Sequence, residues 1–204
     1  MDKEKLIRKF DHQSSIYEAR RKRQTEREWR KTLIGCAKGN VLEVAVGAGA
    51  NFCFYPKDVE VTAVDFSGAM LSKAKESAAA SHVPATFMES DIESISFPDN
   101  AFDTIVSTLS FCGYENPVRV LEAFSRWCKP DGQILLMEHG LSSNLLIGGA
   151  QKLVKPIFRR VVGCHLDRNM TAIFQQSPIQ IRRMERYMLN TIHLVWASPV
   201  KDKR

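Results

Sequence analysis

Several features are missing from this sequence, and each absence removes a class of protein. No apolar run approaches the roughly 18 residues that a membrane-crossing helix requires. The opening MDKEKLIRKFDHQ is charged from its second residue, so it lacks the apolar core of a secretory signal, and the expectation is a cytoplasmic protein. The five cysteines, Cys36, Cys53, Cys112, Cys128 and Cys164, are odd in number, scattered, and never spaced C-x-x-C. That pattern argues against a disulfide framework or a zinc site and for reduced, mostly core thiols. No G-x-x-x-x-G-K-[ST] stretch occurs, which excludes the common phosphate loop of nucleotide hydrolases. Internal repeats and low-complexity segments are lacking too.

What is present is globular: 44% hydrophobic and 25% charged residues over 204 positions, enough for one α/β domain with a sizeable core and short for two. The net charge of +6 is uneven. Residues 1–31 carry 11 Lys/Arg against 6 Asp/Glu, and Lys152 to Arg168 carries 5 Lys/Arg against Asp167 alone. Such stretches suit solvated helix faces, or a nucleic-acid or anionic-membrane surface.

Residues 15–35 are rich in helix formers with sparse apolar positions, which reads as an exposed helix docked by its C-terminal end. From Val41 the texture changes to short aliphatic runs, VLEVAV, VEVTAVD, ATFMES, DTIVSTL and QILLMEH, separated by helical segments. Ser67 starts one of these as a cap, Pro117 opens another, and Lys129-Pro130-Asp131-Gly132 is a turn signal. Strands apolar on both faces alternating with helices predict a doubly wound, mostly parallel sheet with helices on both faces. After His139, an amphipathic helix near 143–161 precedes IQIRRMERYML and NTIHLVWASP, which have no room between them for a crossover helix and predict an antiparallel C-terminal hairpin. The expected organisation is a single domain over 1–204: a helical lid (1–38), a ligand-binding core (39–140), a helical cap (141–178) and the hairpin (179–198).

The first aliphatic run ends in Gly47-Ala48-Gly49, where an open α/β sheet borders its ligand crevice. The glycines serve a bare turn, a dinucleotide pyrophosphate, or another nucleotide-like cofactor. A dinucleotide fingerprint needs a third glycine where this chain has Phe52. Three acids stand nearby. Asp65 closes the second run, where a carboxylate can accept from both hydroxyls of a ribose. Asp91 closes the third, where an acid can meet an adenine amino group. Glu43 lies inside the first strand, where an acid needs partners such as loop amides or a cationic ligand.

The series Glu43-x-x-x-Gly47-x-Gly49, Asp65 with Ser67 and Met70, Ser90-Asp91-Ile92, Phe97-Pro98-Asp99-x-x-Phe102-Asp103 and Lys129-Pro130-Asp131-Gly132 resembles the class I S-adenosylmethionine-dependent methyltransferases. It is most similar to the branch holding the quinone C-methyltransferases, over roughly residues 10–198. The resemblance implies a seven-stranded Rossmann-like sheet, S-adenosylmethionine as cofactor, S-adenosylhomocysteine as product and a small-molecule acceptor. By the same resemblance the Gly47 and Gly49 loop, with Asn51 beside it, passes beneath the methionine part. Asp65 binds the ribose, Phe66 lies against the adenine, Asp91 accepts from its amino group, and Ile92 adds a backbone contact. Thr108 and Leu109 line the methionine side, and Tyr17 matches a lid tyrosine that reaches the cofactor carboxylate. The family usually has glycine where this chain has Ala45, so Ala45 bears on cofactor affinity.

His139, at the end of the fifth run, is the best-placed titratable group to act on an acceptor, with a pocket-shaping histidine as the alternative. His165 is a second candidate. The stretch Ala50-Asn51-Phe52-x-Phe54-Tyr55-Pro56, the Met137-Glu138-His139 ending and Gly163-Cys164-x-Leu166-x-Arg168 look like the thiol S-methyltransferases of the methyltransferase-like group, which makes thiol sulfur the favoured acceptor. Quinol carbon and phospholipid nitrogen are the enzymatic alternatives, and a non-catalytic cofactor-binding protein is the other class. Leu145 to Val162, with Lys152, Lys155, Arg159 and Arg160 among aliphatics, reads as a cap on the acceptor pocket or a peripheral membrane contact. The fourth run ends Ser107-Thr108-Leu109-Ser110-Phe111, without the Asn/Asp-Pro-Pro-Tyr/Phe motif of amino-directed nucleic-acid enzymes, which argues against a nucleic-acid acceptor.

Overall fold

Each aliphatic run becomes a strand because its alternate residues have a helix to pack against on either side. A computed structural model describes residues 3–23, 26–161 and 164–201. The parallel strands are β1 (Asn40–Val44), β2 (Glu60–Asp65), β3 (Ala85–Glu89), β4 (Phe102–Thr108) and β5 (Cys128–His139). Of two further strands, β7 (Ile192–Pro199) runs antiparallel to β5, and β6 (Ile179–Tyr187), antiparallel to β7, runs in the direction of the other five. The sheet order is β3-β2-β1-β4-β5-β7-β6. Strand order reverses at β1, which pairs with β2 on one side and with the later β4 on the other, and that junction is where such sheets hold ligands.

The period of two is visible in the two cores. Leu42, Val44, Ile105, Ile134 and Leu136 face one core, with α4 (Pro117–Trp127) and α6 (Met170–Gln175) above it. Val41, Val106, Leu135 and Met137 face the other, covered by α2 (Arg27–Ile34) and α3 (Gly68–Ser81). Caps start the helices where short polar residues stand: the Ser67 hydroxyl accepts from the Met70 amide at 3.1 Å, and the Asn116 side chain accepts from the Arg119 amide at 3.1 Å.

Two expectations need correcting. The segment read as one helix over 15–35 is two, α1 (Lys3–Arg23) and α2, with residues 24 and 25 outside the described residues. The turn signal at Lys129–Gly132 lies within β5. There the partner residues step from Phe102↔Cys128 to Thr104↔Gln133, so the extra residues bulge out while the pairing resumes. The helical cap expected over 141–178 contains a second, short helix, α6, besides the one read from the periodicity. The expected amphipathic helix is α5 (Leu145–Val161), while Val162 and Gly163 lie outside the described residues, as do the side chains of Arg159 and Arg160.

Candidate active site

One cavity, about 2130 Å³, opens along the carboxyl ends of β1, β2, β4 and β5 and continues as a groove over α4. Ordinary small-molecule sites occupy roughly 300–1,000 Å³, so there is room for two ligands. Its lining includes Tyr17, Ala45, Gly47, Asp65, Phe66, Met70, Asp91, Ile92, Thr108, Leu109 and His139. The topology thus brings together eleven of the fifteen residues singled out from the sequence. Glu43, Gly49, Asn51 and Ser67 do not line it; they stand behind its wall.

The loop after β1 is held in shape by β2. The Asp65 carboxylate accepts from the Gly47 amide at 2.9 Å and from the Ser67 amide at 3.0 Å. Burial pushes its pKa up to about 6, against the pull of those two amides. Four residues around the rim adopt left-handed backbone: Ala45 (φ 49°), Gly47 (54°), Gly49 (76°) and Leu109 (56°). The two glycines have different reasons. A methyl built on Gly49 would meet Ala74 Cα, Phe52 Cδ2 and Ser77 Cβ, each at 2.9 Å, so that glycine exists for the approach of α3. A methyl on Gly47 would meet nothing within 4 Å, so the backbone there borders open space that a ligand can enter.

Behind the loop, the buried acid in β1 finds its partners within the protein. Glu43 accepts from Asn51 Nδ2 and from the Tyr55 hydroxyl, each at 2.8 Å, and burial raises its pKa to about 7. Asn51 Oδ1 in turn accepts from buried Arg30 at 2.6 Å, and Arg30 also donates to Thr108 Oγ1 at 3.1 Å. This chain ties β1, the loop, α2 and the end of β4 into one unit. Arg30 itself faces the cavity; nothing in the sequence marked it beyond its place on the docked end of a helix.

Helix α1 lines one side of the cavity through Leu6, Ile7, Phe10 and Tyr17. Phe10 meets Phe66 edge to face at 5.4 Å between centroids and Tyr17 at 6.0 Å. Lys73 on α3 pairs with Glu18 at 3.3 Å, and the Ser67 hydroxyl donates to Asp11. Tyr17 points inward, its pKa pushed up to about 12 chiefly by burial.

At the far end, the β4–α4 loop is fastened by a second strand acid. Glu138, fully buried, accepts from Ser107 Oγ at 2.9 Å and from the amides of Ser110 (2.9 Å) and Phe111 (3.1 Å), and burial raises its pKa to about 7. Like Glu43, Glu138 is an acid inside an apolar run, QILLMEH, so its place in the sequence already calls for buried partners. Beside it, His139 meets Cys112 and Cys164, with one donor atom from each all within 4.8 Å of one another. The expectation of mostly core thiols holds for Cys112 and Cys128, which are buried, and not for Cys36 and Cys53, which are exposed, or Cys164, which is half-buried. The thiols of Cys112 and Cys164 are pushed in opposite directions by their mutual proximity. Cys164 is drawn below the usual thiol range by Cys112 first and by His139, while Cys112 is pushed up by Cys164 and by burial. The two cysteines lie 52 residues apart, so no spacing rule would have paired them. His165, the second candidate, also lines this end, next to Leu166 and Phe158.

Residues 42–136 match the methyltransferase domain family. Among curated proteins, the chain is 29% identical over 136 residues to a phosphatidylethanolamine N-methyltransferase of Cereibacter sphaeroides, covering 66% of each. It is 27% identical over 168 residues to the thiol S-methyltransferase TMT1B of Rattus norvegicus, covering 78% of this chain and 63% of that one. It is 30% identical over 129 residues to the ubiquinone/menaquinone biosynthesis C-methyltransferase UbiE of Bdellovibrio bacteriovorus, covering 60% and 54%. The chain thus spans less than two thirds of these relatives' own lengths. A solved structure of geranyl diphosphate C-methyltransferase from Streptomyces coelicolor superposes with a TM-score of 0.70 at 12% identity, covering 87% of this chain and 81% of that one, which shows the shared fold.

Proposed function

We propose that this chain, a class I S-adenosylmethionine-dependent methyltransferase of the branch that includes the quinone C-methyltransferases, moves a methyl group to a small apolar acceptor, with thiol sulfur favoured. The observation that carries the reading is the double character of one cavity. At one end lie an open backbone cradle at Gly47 and a buried carboxylate at Asp65; at the other lie His139 and two thiols under an apolar cap. The cofactor, when bound, supplies an electrophilic methyl group on a sulfonium.

The chain's own residues would do the holding. Each Asp65 oxygen already accepts one amide and keeps a free lone pair for a ribose hydroxyl. Phe66 and Ile92 supply apolar faces for the base, and Asp91 an acceptor for its amino group. Thr108 and Leu109 flank the amino-acid portion, and Arg30 on the same cavity supplies a cation for its carboxylate, with the Tyr17 hydroxyl above. Glu43, Gly49, Asn51 and Ser67 act indirectly, by fixing the loop and the start of α3. Closure by α1 excludes water. Orientation of two bound reactants can supply roughly 7–11 kcal/mol of the barrier, and methyl transfer to sulfur needs no protonated leaving group. The remaining need is a deprotonated acceptor, since a free thiol near pKa 8.5 is only a few per cent thiolate at neutral pH. We assign acceptor activation to His139.

A second reading, a quinol or phospholipid acceptor, is favoured by α5. Leu145 (92% exposed), Leu146 (86%) and Leu153 (81%) face solvent on the helix that carries Lys152, while Lys155 is paired with Asp167, a surface suited to an anionic bilayer. No helix among the described residues is long and apolar enough to cross a membrane. The test supplies S-adenosylmethionine with aliphatic and aromatic thiols, a demethylated quinol, phosphatidylethanolamine vesicles and a no-acceptor control, and identifies the methylated product by mass spectrometry. Methyl on sulfur is the expected result. Product only from quinol or lipid transfers the assignment to the second reading, and none above the control leaves a cofactor-binding protein.

A further inference from the structure

We propose that Cys112, His139 and Cys164 form a zinc site whose open fourth position binds and activates the thiol acceptor. The inference rests on the methyltransferase reading for its purpose and on this cluster for its chemistry. Two sulfurs and one imidazole nitrogen are the donor set of a borderline-soft dication, and three protein ligands with one position free is the catalytic arrangement of zinc. With Zn–S near 2.3 Å and Zn–N near 2.0–2.1 Å, tetrahedral ligand atoms stand roughly 3.4–3.8 Å apart. The three atoms here already lie within 4.8 Å of one another. Closing the site therefore asks the separations to shorten by at most about 1.0–1.4 Å, shared between the two atoms of each pair.

The donors are held together by bonds that need no ion. Cys112 sits on the loop that Glu138 fastens through the Ser110 and Phe111 amides. His139 follows Glu138 directly in β5. The segment bearing Cys164 is tied to the Cys112 loop by the His165 amide, which donates to the Cys112 carbonyl at 3.0 Å, and by the Arg168 guanidinium on the Tyr114 carbonyl. The Leu141 amide donates to the Arg168 carbonyl at 2.8 Å, which returns the segment to the end of β5. Such supports are what fixes ligand orientation in metal sites. All three residues line the cavity, at the end where Tyr17, Phe158 and Leu166 also stand.

Two thiolates neutralise the dication, and His139 activates the acceptor through the metal that it helps to hold. An acceptor thiol entering the fourth position forms a sulfur–metal bond and releases its proton to solvent, displacing a water. It stays a thiolate at neutral pH, and the methyl transfer that follows is unchanged. On product formation the neutral thioether is a poorer ligand and leaves.

The test uses the full chain, stripped of metal under a phosphine reductant, with Zn²⁺ titrated against a chromophoric chelator and Co²⁺ as a spectroscopic probe. One equivalent should bind, with a tetrahedral thiolate–cobalt spectrum. Cys112→Ser, Cys164→Ser and His139→Ala should each weaken Zn²⁺ by more than about 100-fold, beyond what loss of an outer partner costs. The metal-free protein should lose thiol methylation at least tenfold and regain it with one equivalent of Zn²⁺. Calorimetry with S-adenosylmethionine runs in parallel and separates the two ideas. Cofactor binding without zinc binding overturns the metal site and leaves the methyltransferase reading standing. An octahedral cobalt spectrum, or full-rate thiol methylation by metal-free protein, also overturns it, as does a Cys112–Cys164 disulfide that persists under the reductant.

Discussion

Substituting alanine for each glycine of the β1 loop should give two different proteins. Both positions have left-handed backbone, φ 54° at Gly47 and 76° at Gly49. A side chain there costs about 1–2 kcal/mol, offset by roughly 0.4–1 kcal/mol from a less flexible unfolded chain. At Gly47 nothing else is added, because the methyl meets no atom within 4 Å. The expected net loss is about 1 kcal/mol, or about 2–4 °C in Tm for a chain of this size. At Gly49 the methyl meets Ala74 Cα and Ser77 Cβ at 2.9 Å on a packed helix. Overpacking of this kind adds about 1–3 kcal/mol, so Gly49→Ala should unfold roughly 10 °C below the native protein. Affinity for S-adenosylmethionine should invert the order. Gly47→Ala places its methyl in the cradle and should weaken binding about 10- to 100-fold, some 1.4–2.8 kcal/mol. Differential scanning calorimetry and titration calorimetry read the two quantities. If Gly49→Ala melts no lower than Gly47→Ala, or Gly47→Ala binds like the native chain, the division of labour is wrong.

Three other expectations follow from the same geometry. Asp65, Glu43 and Glu138 all have folded pKa values raised by burial, to about 6, 7 and 7, so the folded state holds protons that the unfolded state has lost. Their stabilising effect is present below about pH 4 and lost as pH rises toward 7, at up to about 1.4 kcal/mol per pH unit per group. The ligand-free protein should therefore show a higher urea midpoint at pH 5 than at pH 7.5, and an equal or lower one contradicts the burial argument. Ala45→Gly removes a left-handed non-glycine at φ 49°. A gain of up to about 1 kcal/mol after the entropy offset and tighter cofactor binding are expected, and lower stability would show that the methyl packs usefully. His139→Ala should slow thiol methylation by at least about 100-fold with cofactor affinity kept, and an unaltered rate from pH 6 to 9 would reduce His139 to a shaping role.

Much of the fold could be read in advance because the aliphatic runs carry their periodicity openly, and Ser67 and Pro117 mark helix starts by chemistry alone. Asp65 stood out as an acid closing an apolar run at a strand end, and it holds the Gly47 and Ser67 amides at the cavity wall. The break between α1 and α2 was not legible, since Glu26, Arg27 and Glu28 suit a continuing helix as well as a corner. Neither was the role of Lys129–Gly132, where the local turn chemistry is right but neighbouring β4 absorbs it as a bulge. The site's other half was hidden for a different reason. Cys112, His139 and Cys164 come from three segments that only the sheet and the hydrogen bonds of Glu138 and His165 bring together. Glu43 was found and its partners were not: Asn51, Tyr55 and Arg30 are spread over a loop and a helix, and no local rule joins them.

The central claim is that the cavity at the carboxyl ends of β1 and β2 binds S-adenosylmethionine through Asp65. Titration calorimetry of the native chain and of Asp65→Asn, with unfolding curves recorded for both, tests it most directly. Asparagine keeps the size of the side chain and one of the two amide acceptors but turns a donor toward the other amide, so about 1–3 kcal/mol of stability should be lost with the fold retained, while affinity drops by about 10- to 100-fold, the scale of a lost charge-assisted hydrogen bond. No binding heat in the native chain, or equal affinity in both proteins, would contradict the account.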